Sequence, residues 1–82
     1  MKSTHFVYLL KCSDDTLYCG YTNNLEKRVE AHNKGKGSKY TRGRLPTKLI
    51  YVEECSSKSI ALKREWEIKK LSRREKLLLI KK

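Results

Sequence analysis

The stretch from Tyr18 to His32, YCGYTNNLEKRVEAH, constrains this chain most, because a tyrosine-rich strand runs there without a spacer into a short basic helix. Strand alternation sends Tyr18, Gly20 and Thr22 to one face and Leu17, Cys19 and Tyr21 to the other. Gly20 leaves room beside Tyr18 for a group to approach the backbone. Asn23 is a good N-cap, and Glu26 stands three residues on, where its carboxylate can reach back to the cap's N–H; the helix is expected to begin near Leu25. At about 100° per residue, Leu25 and Val29 mark the buried stripe, and Arg28 and His32 lie along its edge. A guanidinium and an imidazole therefore stand side by side.

The remaining elements follow from periodicity and turn chemistry. His5 to Lys11 (HFVYLLK) is apolar on both faces, as expected of a central strand covered on both sides. Ser13, Asp14 and Asp15 supply a turn, and Thr16 to Thr22 pairs back as the second strand of a hairpin. A hairpin loop with an odd number of residues puts Tyr8 and Tyr18 on the same side, where two phenols can share one pocket. The helix runs from Leu25 to Lys34, with Gly35 ending it in a left-handed turn. Residues 35–48 (GKGSKYTRGRLPTK) read as a loop, in which Lys36, Lys39, Arg42 and Arg44 surround Tyr40 with no acid among them. Glycines, basic side chains and an aromatic suit a loop that tracks phosphates, and equally suit a solvated connector. It is not a P-loop, whose glycine and lysine spacing is absent. Lys48 to Cys55 is a third strand, expected to pair with the first. A second helix begins in the cluster Ser56, Ser57 and Ser59 and continues through Ile60 to Leu71. Ser72 with Glu75 forms a capping box for a last helix, Arg73 to Ile80.

The charge limits the partners. Twenty Lys and Arg against nine Asp and Glu give a formal +11 on 82 residues. Such a field favours polyanions, nucleic acid first and acidic membrane surfaces second. No segment joins a clean apolar face to a basic one over several turns, which weakens the membrane option. Cys12, Cys19 and Cys55 are odd in number and form no Cys-x-x-Cys, so they are expected to be reduced, buried thiols rather than zinc ligands. The apolar runs are too short to cross a bilayer, and no signal-peptide pattern appears. The expectation is one domain over residues 1–82, soluble and cytoplasmic.

One acid is out of place. Ala61, Leu62 and Ile68 define an apolar arc on the second helix and Glu65 falls inside it. A carboxylate aimed at a core needs a cation, a hydrogen bond or a metal. Pairing with Arg28 is favoured over a position at the edge with the stem buried, and a single carboxylate also suffices for magnesium, which keeps waters and takes phosphate oxygens. Trp66, more than a quarter turn away, reads as a core anchor.

With FVY at Phe6 to Tyr8, YCG at Tyr18 to Gly20, and then Arg28, His32 and Glu65 in order, the chain resembles the GIY-YIG nuclease superfamily. It is most similar to the short stand-alone members, whose chains contain stretches like N-x-G-K-G-S-K-Y-T-R-G-R-x-P and R-E-x-x-I-K-K-L, here Asn33 to Pro46 and Arg64 to Leu71. The resemblance implies an α+β fold, a small three-stranded antiparallel sheet flanked by helices in the order β-β-α-β-α-α. It also implies metal-dependent hydrolysis of phosphodiester bonds in DNA with Mg2+ or Mn2+, and structure-selective cleavage in DNA repair or recombination as the narrower expectation. In those terms Tyr18 orients or deprotonates the attacking water, helped by Arg28 or the metal. Arg28 holds a phosphate oxygen, Glu65 is the metal ligand, Tyr8 supports the pocket, and His32 occupies a position filled by His or Tyr in relatives. Phe6 replaces the first glycine of the motif, Cys19 the middle isoleucine, and Tyr21 a lysine found in several nucleases. Relatives usually gain substrate choice from an attached DNA-binding domain, so a protein partner is expected to supply it here. The alternative is a non-catalytic nucleic-acid-binding module or an accessory subunit that presents its last helix.

Overall fold

A computed structural model describes residues 4–80. Its elements are β1 (His5–Lys11), β2 (Leu17–Thr22), α1 (Leu25–Asn33), α2 (Lys39–Arg42), β3 (Lys48–Cys55), α3 (Lys58–Lys69) and α4 (Arg73–Ile80). The sheet order is β2-β1-β3, all antiparallel, so the apolar HFVYLLK strand is the central one. The fold is the expected α+β arrangement of a three-stranded sheet with helices.

Register decides which side chains meet. In β1 and β2, Tyr8 lies opposite Gly20 and Leu10 opposite Tyr18. The Lys11–Leu17 pair leaves residues 12–16 as the hairpin loop, an odd number, and both phenols do stand on one face. Asp15 turns that loop at φ 67°, where a short polar side chain is tolerated. The register between β1 and β3 shifts after Leu9, leaving Ile50 as the extra residue of a bulge.

The two faces have different tasks. Val7, Leu9 and Cys19 point to one side and pack with Cys55, Ala61 and Ile68, with Tyr21, Tyr51, Leu79 and Ile80 closing the cluster. This is the core between the sheet and helices α3 and α4. Tyr8, Leu10, Tyr18 and Gly20 point to the other side, under α1 and the segment that follows it. β1 is buried on both faces, and Val7, Tyr8, Leu9 and Leu10 lose all their solvent contact.

Local chemistry sets the helix ends. Asn24, not Asn23, caps α1: its side chain accepts from Lys27 N–H, while its own N–H is taken by the Thr22 hydroxyl. The Thr22 side chain thus spends Asn23 in the turn and moves the cap one residue on. Gly35 follows at φ +77°. Ser57 is the serine of the expected cluster that caps α3, which starts at Lys58 and ends at Lys69, short of the expected Leu71. The expected box at α4 is complete, with Ser72 N–H donating to Glu75 and Glu75 N–H to Ser72. Residues 35–48, read as a loop, contain one helical turn, α2, capped by Ser38.

Two further expectations need correction. Trp66 is no core anchor. It is 61% exposed, with Lys70 Nζ 3.9 Å from its ring centre, because α3 buries Ala61 and Ile68 and turns Trp66 outward. Leu62 likewise lies outside the buried arc, at 42% exposure. The three cysteines are free and buried, as expected.

Candidate active site

The tyrosine face of β1 and β2 and the inward edge of α1 converge on one cluster. Its centre is Tyr8, which is fully buried, and its hydroxyl lies 2.9 Å from His32 Nε2. The Tyr18 ring packs edge-on to His32 with centroids 5.2 Å apart and is tilted against Tyr8 at 6.4 Å. Arg28, one turn before His32, points its guanidinium toward the Tyr8 and Tyr18 hydroxyls. The four residues expected together from the Tyr18 to His32 stretch and its partner strand do gather in one place.

Gly20 makes that packing possible. A Cβ built on Gly20 would stand 2.5 Å from the Tyr8 hydroxyl oxygen and 3.0 Å from Tyr18 Cε2. The space beside Tyr18 is therefore filled by the Tyr8 ring. Only a residue without a side chain lets the two phenols cross this strand pair.

Electrostatics separate the roles. Burial pushes the Tyr8 phenol up to about 12, against the counter-pull of the Arg28 hydrogen bond. Tyr8 is therefore a permanent proton donor at neutral pH, suited to holding a partner and unsuited to taking a proton. Burial, and then the positive charge of Arg28, lower the His32 pKa, so the imidazole is neutral. Arg28 is held charged above its usual range, chiefly by its hydrogen bond to Tyr8. Its Nη2 donates to the Gly37 carbonyl at 3.0 Å, while its Nε–H is buried with no acceptor.

Glu65 stands on α3, the helix that packs on the opposite face of the sheet. Its side chain keeps 18% exposure, and its ion-pair partner is Lys69 at 3.3 Å, one turn on along α3. The expected pair with Arg28 does not form. Arg28 descends from α1 onto the tyrosine face and is drawn to the Gly37 carbonyl and the phenols, whereas α3 covers the opposite face. The Glu65 charge is still felt at Tyr8 and at Cys19, whose thiol burial raises to about 11 with Glu65 adding to the rise. Among the described residues no group of three or more His, Cys, Asp and Glu could hold a metal. A lone, partly exposed carboxylate does fit a hard cation that keeps several waters and draws its other ligands from a substrate's phosphate.

The basic segment folds back over the phenols. Tyr40 stacks on Tyr18, with ring centres 5.8 Å apart and planes 29° apart. Arg44 lies over the Tyr40 ring, 4.1 Å from its centre. Arg44 is itself anchored by Asp14 at 3.0 Å and by the Tyr40 carbonyl at 2.7 Å. Of the five residues expected to meet nucleic acid, Tyr40 and Arg44 therefore already serve as a cover for Tyr18. Lys36, Lys39 and Arg42 make no ion pair among the described residues and present their charges outward. An open cleft of about 520 Å3 beside them is lined by Asn24, Lys27, Arg28, Ala31, Lys34 and Lys36 among others.

Residue-by-residue reading missed Thr41. It is fully buried, and its hydroxyl lies 2.8 Å from His32 Nδ1 and 3.1 Å from the hydroxyl of Ser38. The Ser-x-x-Thr spacing at Ser38 and Thr41, a helix-cap spacing inside a run of Lys and Gly, was the available signal.

The sequence model of the family described as GIY-YIG catalytic domain matches residues 4–77. A UPF0213 protein of Clostridium perfringens is 59% identical over 76 residues, covering 93% of this chain and 82% of that one. A UPF0213 protein of Natronomonas pharaonis is 54% identical over 80 residues, 98% of this chain and 94% of its own. The solution structure of a UPF0213 protein from Bacillus halodurans superposes with a TM-score of 0.62 at 45% identity, over 94% of this chain and 82% of that one. That of a protein from E. faecalis gives 0.65 at 41% identity, over 99% and 85%.

Proposed function

The chain belongs to the GIY-YIG catalytic-domain family, a family of nucleases, and from that premise we propose that it is an endonuclease hydrolysing phosphodiester bonds in DNA with the aid of Mg2+ or Mn2+. The observation that carries this reading is the convergence of Tyr8, Tyr18, Arg28 and His32 in one packed cluster, with the charge of Glu65 acting on it.

Each residue has a task that its surroundings support. Hydrolysis joins a water oxygen to phosphorus as the bond from phosphorus to the departing sugar oxygen breaks. Tyr18 is the less buried of the two phenols and orients the attacking water, with the positive charge of Arg28 beside it. Arg28 holds a nonbridging phosphate oxygen and balances the charge that builds on it. Tyr8 and neutral His32 fix the floor of the pocket through their 2.9 Å hydrogen bond. Glu65 would hold the divalent cation, which supplies positive charge next to the phosphate and the departing oxygen. Lys36, Lys39 and Arg42, free to face solvent, track the flanking phosphates. Structure-selective action in repair or recombination, with a protein partner directing it, is the narrower form of the same proposal.

Tyr18→Phe tests the assignment. It keeps the ring stacked between His32 and Tyr40 and removes only the hydroxyl. Magnesium-dependent cleavage of a labelled DNA should fall by at least about 100-fold, the range for a positioned acid–base group, while DNA binding is retained. Undiminished cleavage would remove Tyr18 from the reaction.

A further inference from the structure

The polar groups behind the phenols form a chain whose proton positions can be counted. Tyr8 has one hydroxyl proton and an oxygen that accepts. Its two neighbours are the guanidinium of Arg28, which can only donate, and His32 Nε2 at 2.9 Å. Arg28 offers no acceptor, so the buried Tyr8 proton goes to His32 Nε2. That nitrogen must be bare, so the neutral imidazole carries its hydrogen on Nδ1 and donates it to Thr41 Oγ1, 2.8 Å away. The Thr41 proton has an acceptor on Ser38, either the hydroxyl at 3.1 Å or the carbonyl at 3.4 Å. Tyr8, His32 and Thr41 are then satisfied in one direction only.

The ring has little freedom to choose otherwise. His32 and Thr41 are both fully buried, so no water competes for Nδ1. A Cβ on Gly37 would lie 2.2 Å from His32 Nδ1 and 2.4 Å from its Cγ, so the backbone there presses directly on the imidazole. The same Gly37 presents its carbonyl to Arg28. Residues 37–41 thus grip both polar side chains that α1 sends into the cluster.

We propose that Thr41 is a positioning residue of the site: its hydroxyl fixes His32 as the Nδ1–H tautomer, so that Tyr8 donates to Nε2 and keeps its oxygen turned to Arg28. Thr41 touches neither the phosphate nor the water and acts only through His32 and Tyr8. The effect on cleavage rests on the nuclease reading; the tautomer does not, and the two can fail separately.

The test is long-range 1H–15N NMR of the intact 15N-labelled protein, which distinguishes a protonated from a bare ring nitrogen. His5 and His32 are the only histidines, and His5→Gln assigns the spectrum. Wild type should show His32 protonated on Nδ1 and bare at Nε2. Thr41→Val, similar in shape but without the hydroxyl, should lose that pattern, and Thr41→Ser should restore it. In a cleavage assay Thr41→Val should lower kcat by up to about 100-fold with KM little changed, the signature of reacting groups out of register. A wild-type His32 protonated on Nε2 overturns the proposal, and that measurement requires no variant to fold. So does Thr41→Val with an unchanged ring pattern. If the wild type shows the expected tautomer and cuts no DNA, the wiring stands and the nuclease reading falls.

Discussion

Gly20→Ala is the substitution that most strains the cluster, and its cost can be worked from the structure. The added methyl would sit 2.5 Å from the Tyr8 hydroxyl oxygen and 2.6 Å from Tyr8 Cζ. Both atoms belong to a ring with no solvent contact, so Tyr8 cannot swing into open space. Forcing an extra methyl into a packed interior costs about 1–3 kcal/mol through displaced side chains. Moving Tyr8 also breaks its 2.9 Å bond to His32. The buried imidazole nitrogen left without a donor adds about 1–3 kcal/mol. The middle of the combined range, about 4 kcal/mol, is a large part of the roughly 4–12 kcal/mol that a chain of this length commands. At about 4–8 °C per kcal/mol, the melting temperature should fall by roughly 16–32 °C. Gly43→Ala is the internal control, because Gly43 has φ −91° and nothing within 4 Å of its would-be Cβ. It should be neutral or stabilise by up to about 1 kcal/mol through the unfolded chain. Urea unfolding of both variants, followed by far-UV circular dichroism, measures the difference. A Gly20→Ala loss below about 1 kcal/mol would refute the close packing of Tyr8 on which the site description depends.

Other outcomes follow from the same contacts. Glu53 is gripped by Arg64 at 2.8 and 3.0 Å, and this hydrogen bonding, ahead of a further bond from Tyr51, holds its carboxyl below the usual range. A lowered folded-state pKa gives stability that is fully present above the unfolded value of about 4.3 and is lost as pH falls below it and through the folded-state value, so wild type should lose stability below about pH 5 more steeply than Glu53→Gln in denaturant titrations. Trp66→Ala should cost no more than about 1 kcal/mol, the worth of an exposed cation–π contact, where a core tryptophan would cost about 3–5 kcal/mol; equilibrium unfolding by circular dichroism decides. Lys36→Ala, Lys39→Ala and Arg42→Ala should each reduce the slope of log binding constant against log salt by about 0.7–0.9, read by fluorescence anisotropy of a labelled DNA.

The sequence was legible where one strong rule acted alone. β1 and β3 have the bounds that their apolar and β-branched runs suggest, and the parity of the hairpin loop places Tyr8 beside Tyr18. Arg28 and His32 meet the phenols because residues four apart on a helix share a side. It was less legible where two rules competed. Asn23 and Asn24 are equal as caps by type, and only the Thr22 hydroxyl on Asn24 N–H decides between them. Glu65 finds Lys69 on its own helix rather than Arg28, because which face of the sheet each helix covers is a tertiary fact. Trp66 points outward because the helix needs only the narrow Ala61 and Ile68 stripe for the core. Thr41 stayed hidden because composition made its neighbours look like a solvated basic loop, although Ser38 caps a helical turn within it.

The central claim is that this cluster cuts DNA, and a cleavage panel tests it most directly. Labelled single strands, flaps, branched junctions and plain duplex are incubated with Mg2+ or Mn2+ and wild type, Glu65→Ala or Arg28→Ala, with binding measured in parallel. The account predicts that wild type cuts at least one of these substrates, that neither variant does, and that Glu65→Ala still binds. Wild type that binds the panel and cuts nothing with either metal, alongside variants that bind equally well, would contradict it and leave a nucleic-acid-binding module in its place.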